Sequence, residues 1–561
     1  MNVGQNGSQR DTDQLEHGQR EKHHAQRESG FLQHARSTHP PRNRSQQPDN
    51  FVAILHDVAD CSARRRTGES QVRLTPIIMI FMKMTRTTMD MRPTRLFATL
   101  ALALTAILVP HTARAADGPH IVYILANDLG WKDVGFHGGK AATPHLDALA
   151  ASGVRLERFY SLPNSTPTFA ALMTGRYPMR YGLQMLSILP WNTYGLPLDE
   201  RLLPQALKMV GYRTVAFGQW QLGHASRDLL PTHRGFDYFY GSHGALRDHF
   251  TKTNQAGKHD WHRGEKSIKE RGYATTLIAR DVAAFIARHD AARPLFMYVS
   301  LPAPATPLQA PRRHLSLYED VDDTKRRTYY AMISAVDDAV GAIVDALKKK
   351  GMHDNTLLVF HSDNGGAVKN KYPSGDGDVL QHVSSNGPFR NGRGSLYEGA
   401  VRVIALAAWP GRIEPGVVSE RIHVTDLYPT LLNRAGAPLD KENQIKPIDG
   451  IDAWEVIAGG EQSKREEILI NVDEFRGALM VGNWKLIVYA TLPSRIELYN
   501  VADDPSEENN LAEREPERVQ QLLVRLNDYA WEMAPSMYLD DLAGARAYDT
   551  PIFWGENPQR P

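Results

Sequence analysis

The stretch Asn164-Ser165-Thr166-Pro167-Thr168-Phe169-Ala170-Ala171-Leu172-Met173-Thr174-Gly175-Arg176 concentrates hydroxyl groups where a strand gives way to a helix. The apolar run Val154 to Tyr160 before it reads as a strand, and its Ala-Ala-Leu-Met portion has helical character. A hydroxyl at such a turn lies beside the N–H groups of a helix N-terminus, which suits a nucleophile or a bound anion. The same pattern also suits a plain Ser/Thr helix cap. A second polar pair, Asn127-Asp128, ends the apolar run His120 to Ala126. Its two oxygen donors fit a hard divalent cation at the end of a buried strand, and equally an Asx turn.

Several further segments must position these groups. His120 to Ala126, Tyr212 to Phe217, Pro294 to Leu301, Thr356 to Phe360 and Val401 to Ala408 are the apolar runs of a sheet covered on both faces. Thr143-Pro144 opens a helix with Leu146, Leu149 and Ala150 on one side, and Leu202 to Val210 and Thr425 to Ala435 read as two more. A longer helix carries Val336, Val340, Ile343 and Leu347 on one stripe and stops at Lys348-Lys349-Lys350-Gly351. Gly241 to Lys269 is polar, with His243, His249, His259, His262, Asp248 and Asp260 at irregular spacing, and reads as solvated loop. Beyond it, Ile468 to Val472, Gly477 to Val481, Trp484 to Tyr489 and Ile496 to Asn500 are short strands in close succession. A helix bearing Val519, Leu522, Leu523 and Leu526 follows, the pattern of a small α+β module.

The chain has 561 residues, 42% of them hydrophobic and 23% charged, enough for a large core and two domains. A net charge of +1 gives no nucleic-acid or membrane-surface footprint. The single cysteine, Cys61, excludes an intrachain disulfide. Residues 1–90 are rich in Gln, His, Arg and Ser without apolar periodicity, and read as disorder or as an extension from a start codon assigned too early. Residues 91–115 have the order of a secretory signal: Met91-Arg92-Pro93-Thr94-Arg95, the apolar run Leu96 to Val109, then Ala113-Arg114-Ala115. That run is shorter than the roughly 20 residues of a membrane span, so we expect no stable membrane anchor and export to a bacterial periplasm or beyond.

The Ser165 stretch resembles the sulfatase signature C/S-x-P-S-R-x-x-x-x-T-G-R, with Ser165 at the residue oxidised to formylglycine, Pro167 in place, and Thr174-Gly175-Arg176 closing it. Thr168 stands for the signature Ser and Phe169 for its Arg. The resemblance extends over Asn127-Asp128-Leu129-Gly130-Trp131, where the family's first metal-binding Asp is Asn127, and over Thr143-Pro144-His145-Leu146-Asp147. It continues through Arg176-Tyr177-Pro178 and Pro197-Leu198-Asp199-Glu200, most like the arylsulfatase B branch. In Gly218-Gln219-Trp220-Gln221-Leu222-Gly223, Gln219 replaces the Lys that binds sulfate and Gln221 the His that contacts formylglycine. Ala305 replaces the His that protonates the departing alcohol. His361-Ser362-Asp363-Asn364-Gly365-Gly366 matches the second half of the metal site, Arg393 takes the place of a sulfate-gripping Lys, and the Asp504-Pro505-x-Glu507 element recurs near the C-terminus.

The resemblance implies an alkaline-phosphatase-like α/β fold, a large, mostly parallel mixed sheet flanked by helices in residues 117–440. A small α+β domain follows in 441–535 and a tail in 536–561. It implies Ca2+, weakened, on Asn127, Asp128, Asp363 and Asn364, and an anion held by Arg393 and Arg176. With Gln219, Gln221 and Ala305 at catalytic positions, the expected function is binding of sulfated or acidic glycan with little or no hydrolysis. Two alternatives stand beside it. One is a working arylsulfatase on an aryl ester with Ser165 matured to formylglycine, and the other a phosphate-ester hydrolase using Ser165 or Thr166 directly.

Overall fold

A computed structural model describes residues 118–368, 383–437, 439 and 446–543. The N-terminal extension, the signal segment, Cys61 and the end of the tail lie outside them. The element order is β1 (His120–Asn127), α1 (Pro144–Ser152), β2 (Val154–Tyr160), α2 (Ser165–Thr174), α3 (Leu203–Met209), β3 (Arg213–Gln219) and β4 (Tyr238–Ser242). Next come β5 (His262–Arg263), β6 (Lys266–Ser267), α4 (Ala274–Arg288), β7 (Leu295–Pro304), α5 (Thr324–Lys350), β8 (Thr356–Ser362), α6 (Glu398–Val401), β9 (Ala405–Ala408), β10 (Gly416–His423) and α7 (Leu427–Arg434). These strands form one ten-stranded sheet in the order β10-β2-β9-β8-β1-β7-β3-β4-β5-β6. The pairs β7-β1, β1-β8, β7-β3, β3-β4 and β10-β2 are parallel, whereas β9 runs antiparallel to β8 and β2.

The unbroken apolar character of β1 has a direct cause. Ile121, Tyr123 and Leu125 enter one hydrophobic core with α2 and α3, while Val122, Ile124 and Ala126 enter a second with α4 and α5. A strand buried on both faces cannot alternate polar and apolar residues. Its parallel neighbours end on the same side of the sheet, so their C-terminal residues collect there. The expected strand from Val401 is shorter than the sequence suggests. Residues 398 to 401 make the turn of α6, an isolated bridge joins Arg402 to Tyr160, and the strand itself starts at Ala405.

Thr143 stands at the expected cap of α1, but its hydroxyl accepts from Gly135 N–H at 2.8 Å and donates to Asp147 at 3.1 Å. The cap is supplied by α5 instead: Asp337 accepts from the N–H groups of His145 and Leu146 at 3.2 and 2.7 Å. Burial pushes the Asp337 carboxyl up from 3.8 to about 6, against those donors. The folded chain therefore holds a proton there that the unfolded chain has already lost. This group's contribution to stability is complete below about pH 4 and is lost as the pH rises through about 6. Asp337→Asn is expected to flatten that fall, read as urea midpoints across the same window.

The C-terminal domain is an antiparallel sheet of β11 (Glu467–Val472), β12 (Arg476–Val481), β13 (Trp484–Tyr489) and β14 (Arg495–Asn500), followed by α8 (Pro516–Trp531). One face packs Leu479, Leu486 and Leu498 against Leu522 and Leu526 of α8. The other packs Ile468, Ile470 and Met480 against Leu396, Ala400 and Val401 around α6. The second contact ties this domain to the segment that carries Arg393.

Candidate functional site

The site lies at the C-terminal ends of β1, β3, β7 and β8 and at the N-terminus of α2. Asp128 follows β1 with φ 60° and Gln221 follows β3 with φ 51°, a left-handed backbone that non-glycine residues seldom adopt. Gly218 makes the approach of β3 possible: its φ is 89°, and a Cβ there would lie 1.8 Å from the Ser300 carbonyl oxygen of β7. These local conformations turn side chains that would follow the strands into one pocket.

Asp128, Asp363, Asn364 and Arg393 form its charged centre. Arg393 donates to Asp128 Oδ2 at 2.6 Å, Asn364 Nδ2 donates to Asp128 Oδ1 at 2.7 Å, and Asp128 N–H donates to Asp363 Oδ1 at 2.9 Å. Asp363 Oδ2 and Asn364 Oδ1 are buried with no hydrogen-bond partner. Burial, with the negative charge of Asp128 second, pushes the Asp363 carboxyl up to about 7, opposed by the Asp128 N–H, the Ser165 hydroxyl and Arg393. Ser165 stands at the start of α2 and is itself buried. Thr168, one turn on, donates to the Asp363 carbonyl at 2.8 Å, so a hydroxyl still pins this turn.

Beside this centre runs a chain of neutral amides. Asn127 Nδ2 and Gln221 Nε2 both donate to Gln219 Oε1, at 3.0 and 2.9 Å, and all three side chains are buried. Phe169 is fully buried in the core and meets Tyr298 edge to face, 6.4 Å between centroids. Ala305 follows β7 and, with Asp128, Tyr329 and Ser384, lines a small cavity of about 20 Å³. Its carbonyl accepts from His249 Nε2 at 3.2 Å. Burial holds that imidazole down at about 4, so it is neutral with its N–H committed.

The sulfatase model matches residues 119–437, and the model for the C-terminal part of N-sulphoglucosamine sulphohydrolase matches residues 392–532. The chain belongs to the sulfatase family. Mouse arylsulfatase J is 35% identical over 475 residues, covering 75% of this chain and 77% of that protein. Human arylsulfatase A is 32% identical over 420 residues, covering 69% and 76%. The crystal structure of Ps i-CgsB in complex with k-i-k-neocarrahexaose superposes with a TM-score of 0.67 at 29% identity, covering 77% of this chain and 99% of that one.

Within this sulfatase-family fold, most of the residues named from the sequence converge. Asn127, Asp128, Asp363, Asn364, Ser165, Gln219, Gln221, Ala305 and Arg393 are at or around one pocket. Arg176 is not. It lies beyond the far end of α2, about 15 Å from Ser165 by helix rise, where it pairs with Glu200 at 3.2 Å and donates to the Pro447 carbonyl. The length of the intervening helix is enough to exclude it. Thr166 is close in sequence but committed elsewhere, donating to the Gln221 carbonyl at 2.9 Å and accepting from Ile188 N–H at 3.1 Å.

Sulfatases bind a divalent metal, and the donors here fit one. Two buried oxygens without a hydrogen-bond partner, beside a carboxylate pair, are an arrangement that a hard cation satisfies. Asn127 spends its amide nitrogen on Gln219, which leaves its oxygen for the cation.

Two supporting residues escaped sequence reasoning. Tyr329 on α5 donates to Asp133 at 2.9 Å and receives the Gly130 N–H at 3.3 Å, holding the turn that carries Asp128. Asn386 accepts from Gly366 N–H and donates to the Gly366 and Asn391 carbonyls, each at 2.9 Å, joining the Asp363 turn to the Arg393 loop. Tyr329 continues the buried stripe of α5 ahead of Val336, so periodicity alone reads it as core, and Asn386 belongs to no periodic pattern.

Proposed function

We propose that this sulfatase-family protein binds an anionic ligand, a sulfated or acidic glycan, in a calcium-dependent site and does not turn over sulfate esters at an enzymatic rate. The observation that carries this reading is the neutral amide chain Asn127–Gln219–Gln221. At the family's Asp, Lys and His positions it supplies hydrogen-bond donors and acceptors but no ionic group and no proton exchange near neutral pH. The Asp-to-Asn and Lys-to-Gln changes offset each other in charge, while Phe169 in place of the signature Arg removes a further cation. Ala305 completes the loss, since a departing alkoxide has no acid there. Phe169, sealed in the core, cannot contribute the cation of the signature.

What persists is recognition chemistry. Arg393 presents a planar guanidinium, the Gln side chains suit sugar hydroxyls, and α2 offers its N-terminus at Ser165. Asn127, Asp128, Asp363 and Asn364 would hold calcium, which when bound would neutralise the carboxylates and attract sulfate or carboxylate oxygens. Asn127→Asp adds a charged ligand and is expected to raise calcium affinity on the order of tenfold in calorimetry. Unchanged affinity would remove Asn127 from the donor set.

The deciding experiment is titration of the purified chain with sulfated oligosaccharides, with and without calcium, alongside ion chromatography for released sulfate. Binding only with calcium and no sulfate release is the expected result. Steady sulfate release abolished by Ser165→Ala would overturn it, as would a two-hydrogen loss at Ser165 by peptide mass spectrometry together with turnover. A second reading rests on the placement of the buried Ser165 hydroxyl at the N-terminus of α2: a serine acting directly as nucleophile on a phosphate ester. Release of phosphate but not sulfate from paired aryl esters would select it.

A further inference from the structure

The segment from Gly241 to Lys269, expected to be solvated loop, is folded inward in part: His243, His249, Asp260 and His262 are each at most 1% exposed, while Asp248 and His259 stay half-buried. Its geometry follows from strand pairing. Gly241 of β4 is opposite His262 of β5 in an antiparallel register. Continuing that register sets His243 opposite Asp260, and residues two apart on a strand share a face. Gly241 lets β4 approach β3, since a Cβ there would lie 2.0 Å from the Gly218 carbonyl oxygen. The imidazoles of His243 and His262 stack at 4.1 Å between centroids and 23° between planes.

Asp260 is anchored by the N–H groups of His243 and Gly244, both at 2.9 Å, and lies 3.3 Å from His262 Nδ1. Both ring nitrogens of His262 are buried without a hydrogen-bond partner, so Nδ1 faces the Asp260 carboxylate as an unspent donor atom. One potential ligand atom from each of His243, Asp260 and His262 lies within 4.8 Å of the other two.

We propose that His243, Asp260 and His262 form a second, buried site for a borderline transition metal ion, zinc foremost, distinct from the oxygen-donor site at Asp128 and Asp363. Two imidazoles and a carboxylate are a ligand set suited to zinc and poorly matched to calcium. Burial, and then the neighbouring His262, drives the His243 imidazole well below its ordinary pKa, so it is in the neutral form that ligates. One ring must turn about its Cβ–Cγ bond to bring both nitrogens onto one ion. The site is also connected to the functional pocket, since Gln221 N–H donates to the His243 carbonyl at 2.9 Å. A metal there would fix the left-handed turn that presents Gln221.

The test uses the full chain loaded with zinc chloride, desalted, and analysed for metal. Roughly one zinc per chain is expected in the wild type and in Asp363→Asn, and none in His262→Ala or Asp260→Asn, with zinc raising the melting temperature of the first pair only. X-ray absorption of the zinc-loaded wild type should show imidazole scattering, which covers the case in which a variant fails to fold. Loss of all zinc from the wild type on desalting, equal retention by His262→Ala, or an oxygen-only first shell would each overturn the proposal.

Discussion

Returning a histidine to position 305 is expected to raise aryl sulfate turnover by on the order of 10²- to 10⁴-fold, the usual worth of a placed general acid. The gain should be seen only in a chain that also carries Asn127→Asp, Phe169→Arg, Gln219→Lys and Gln221→His and has been co-expressed with a formylglycine-generating enzyme. The condition matters because these groups act as one constellation. An acid cannot accelerate departure of an alcohol if the nucleophile is not formed or the sulfate is not held, so single reversions should each give almost nothing. Position 305 is where the effect is concentrated because Ala305 shares a cavity wall with Asp128, and its neighbour His249 is neutral with its N–H spent on a carbonyl. The assay compares the four-site revertant with Ala305 retained against the same chain with Ala305→His added. Equal rates would show that the proton comes from elsewhere. Rates in the Ala305 form that are already high would contradict the proposed loss of catalysis itself.

Lys485→Met is expected to cost about 3 to 5 kcal/mol of folding stability, the range for an ion removed from a buried charged network. Lys485 on β13 is fully buried between Glu398, at 3.0 Å, and Glu507, at 2.8 Å. Glu398 also receives the Tyr160 hydroxyl at 2.9 Å, and Glu507 receives the Glu398 N–H at 2.7 Å. One cation serves two carboxyls, and they separate accordingly. Glu398 is held below its ordinary range despite burial by Lys485 and then Arg402, while burial pushes Glu507 up to about 7. The folded state thus keeps a proton on Glu507 that the unfolded chain loses near 4.5, so this carboxyl's contribution is complete below that value and disappears as the pH rises through about 7. Without Lys485 nothing offsets the second charge, and the penalty should be larger at pH 8 than at pH 5. Urea unfolding of wild type and Lys485→Met at both values checks this. A pH-independent difference would mean that the loss is one of packing alone.

This network also accounts for the Asp504-Pro505-x-Glu507 element. Glu507 grips the first residue of α6, and Gly399 N–H returns to the Arg390 carbonyl at 3.0 Å. Arg476 of β12 reaches the Gly394 carbonyl at 2.7 Å, beside Arg393. The C-terminal domain therefore holds the loop that delivers the pocket's guanidinium, and its loss should weaken anion binding as well as stability.

The sequence by itself determined which side chains stand at the motif positions. Asn127, Gln219, Gln221 and Ala305 are what they are before any folding, and no arrangement gives an amide or a methyl group the charge or the proton of the side chain that it replaces. The same holds for the core strands, whose runs are apolar because both faces are covered, and whose ends therefore announce where ligands collect. Arg176 shows the limit of proximity in sequence, since a helix between two motif residues carries them apart at a fixed rise. Tertiary structure alone decided the rest. His243, Asp260 and His262 have the composition of a surface loop, and their burial comes from a register between β4 and β5 that no local pattern encodes. Lys485, Glu398 and Glu507 are apart along the chain, and although Glu507 belongs to a motif, only packing shows that it shares a buried lysine with Glu398. Ionisation and hydrogen-bond satisfaction depend on the water a residue loses and the partners it gains, and both are properties of the assembled interior.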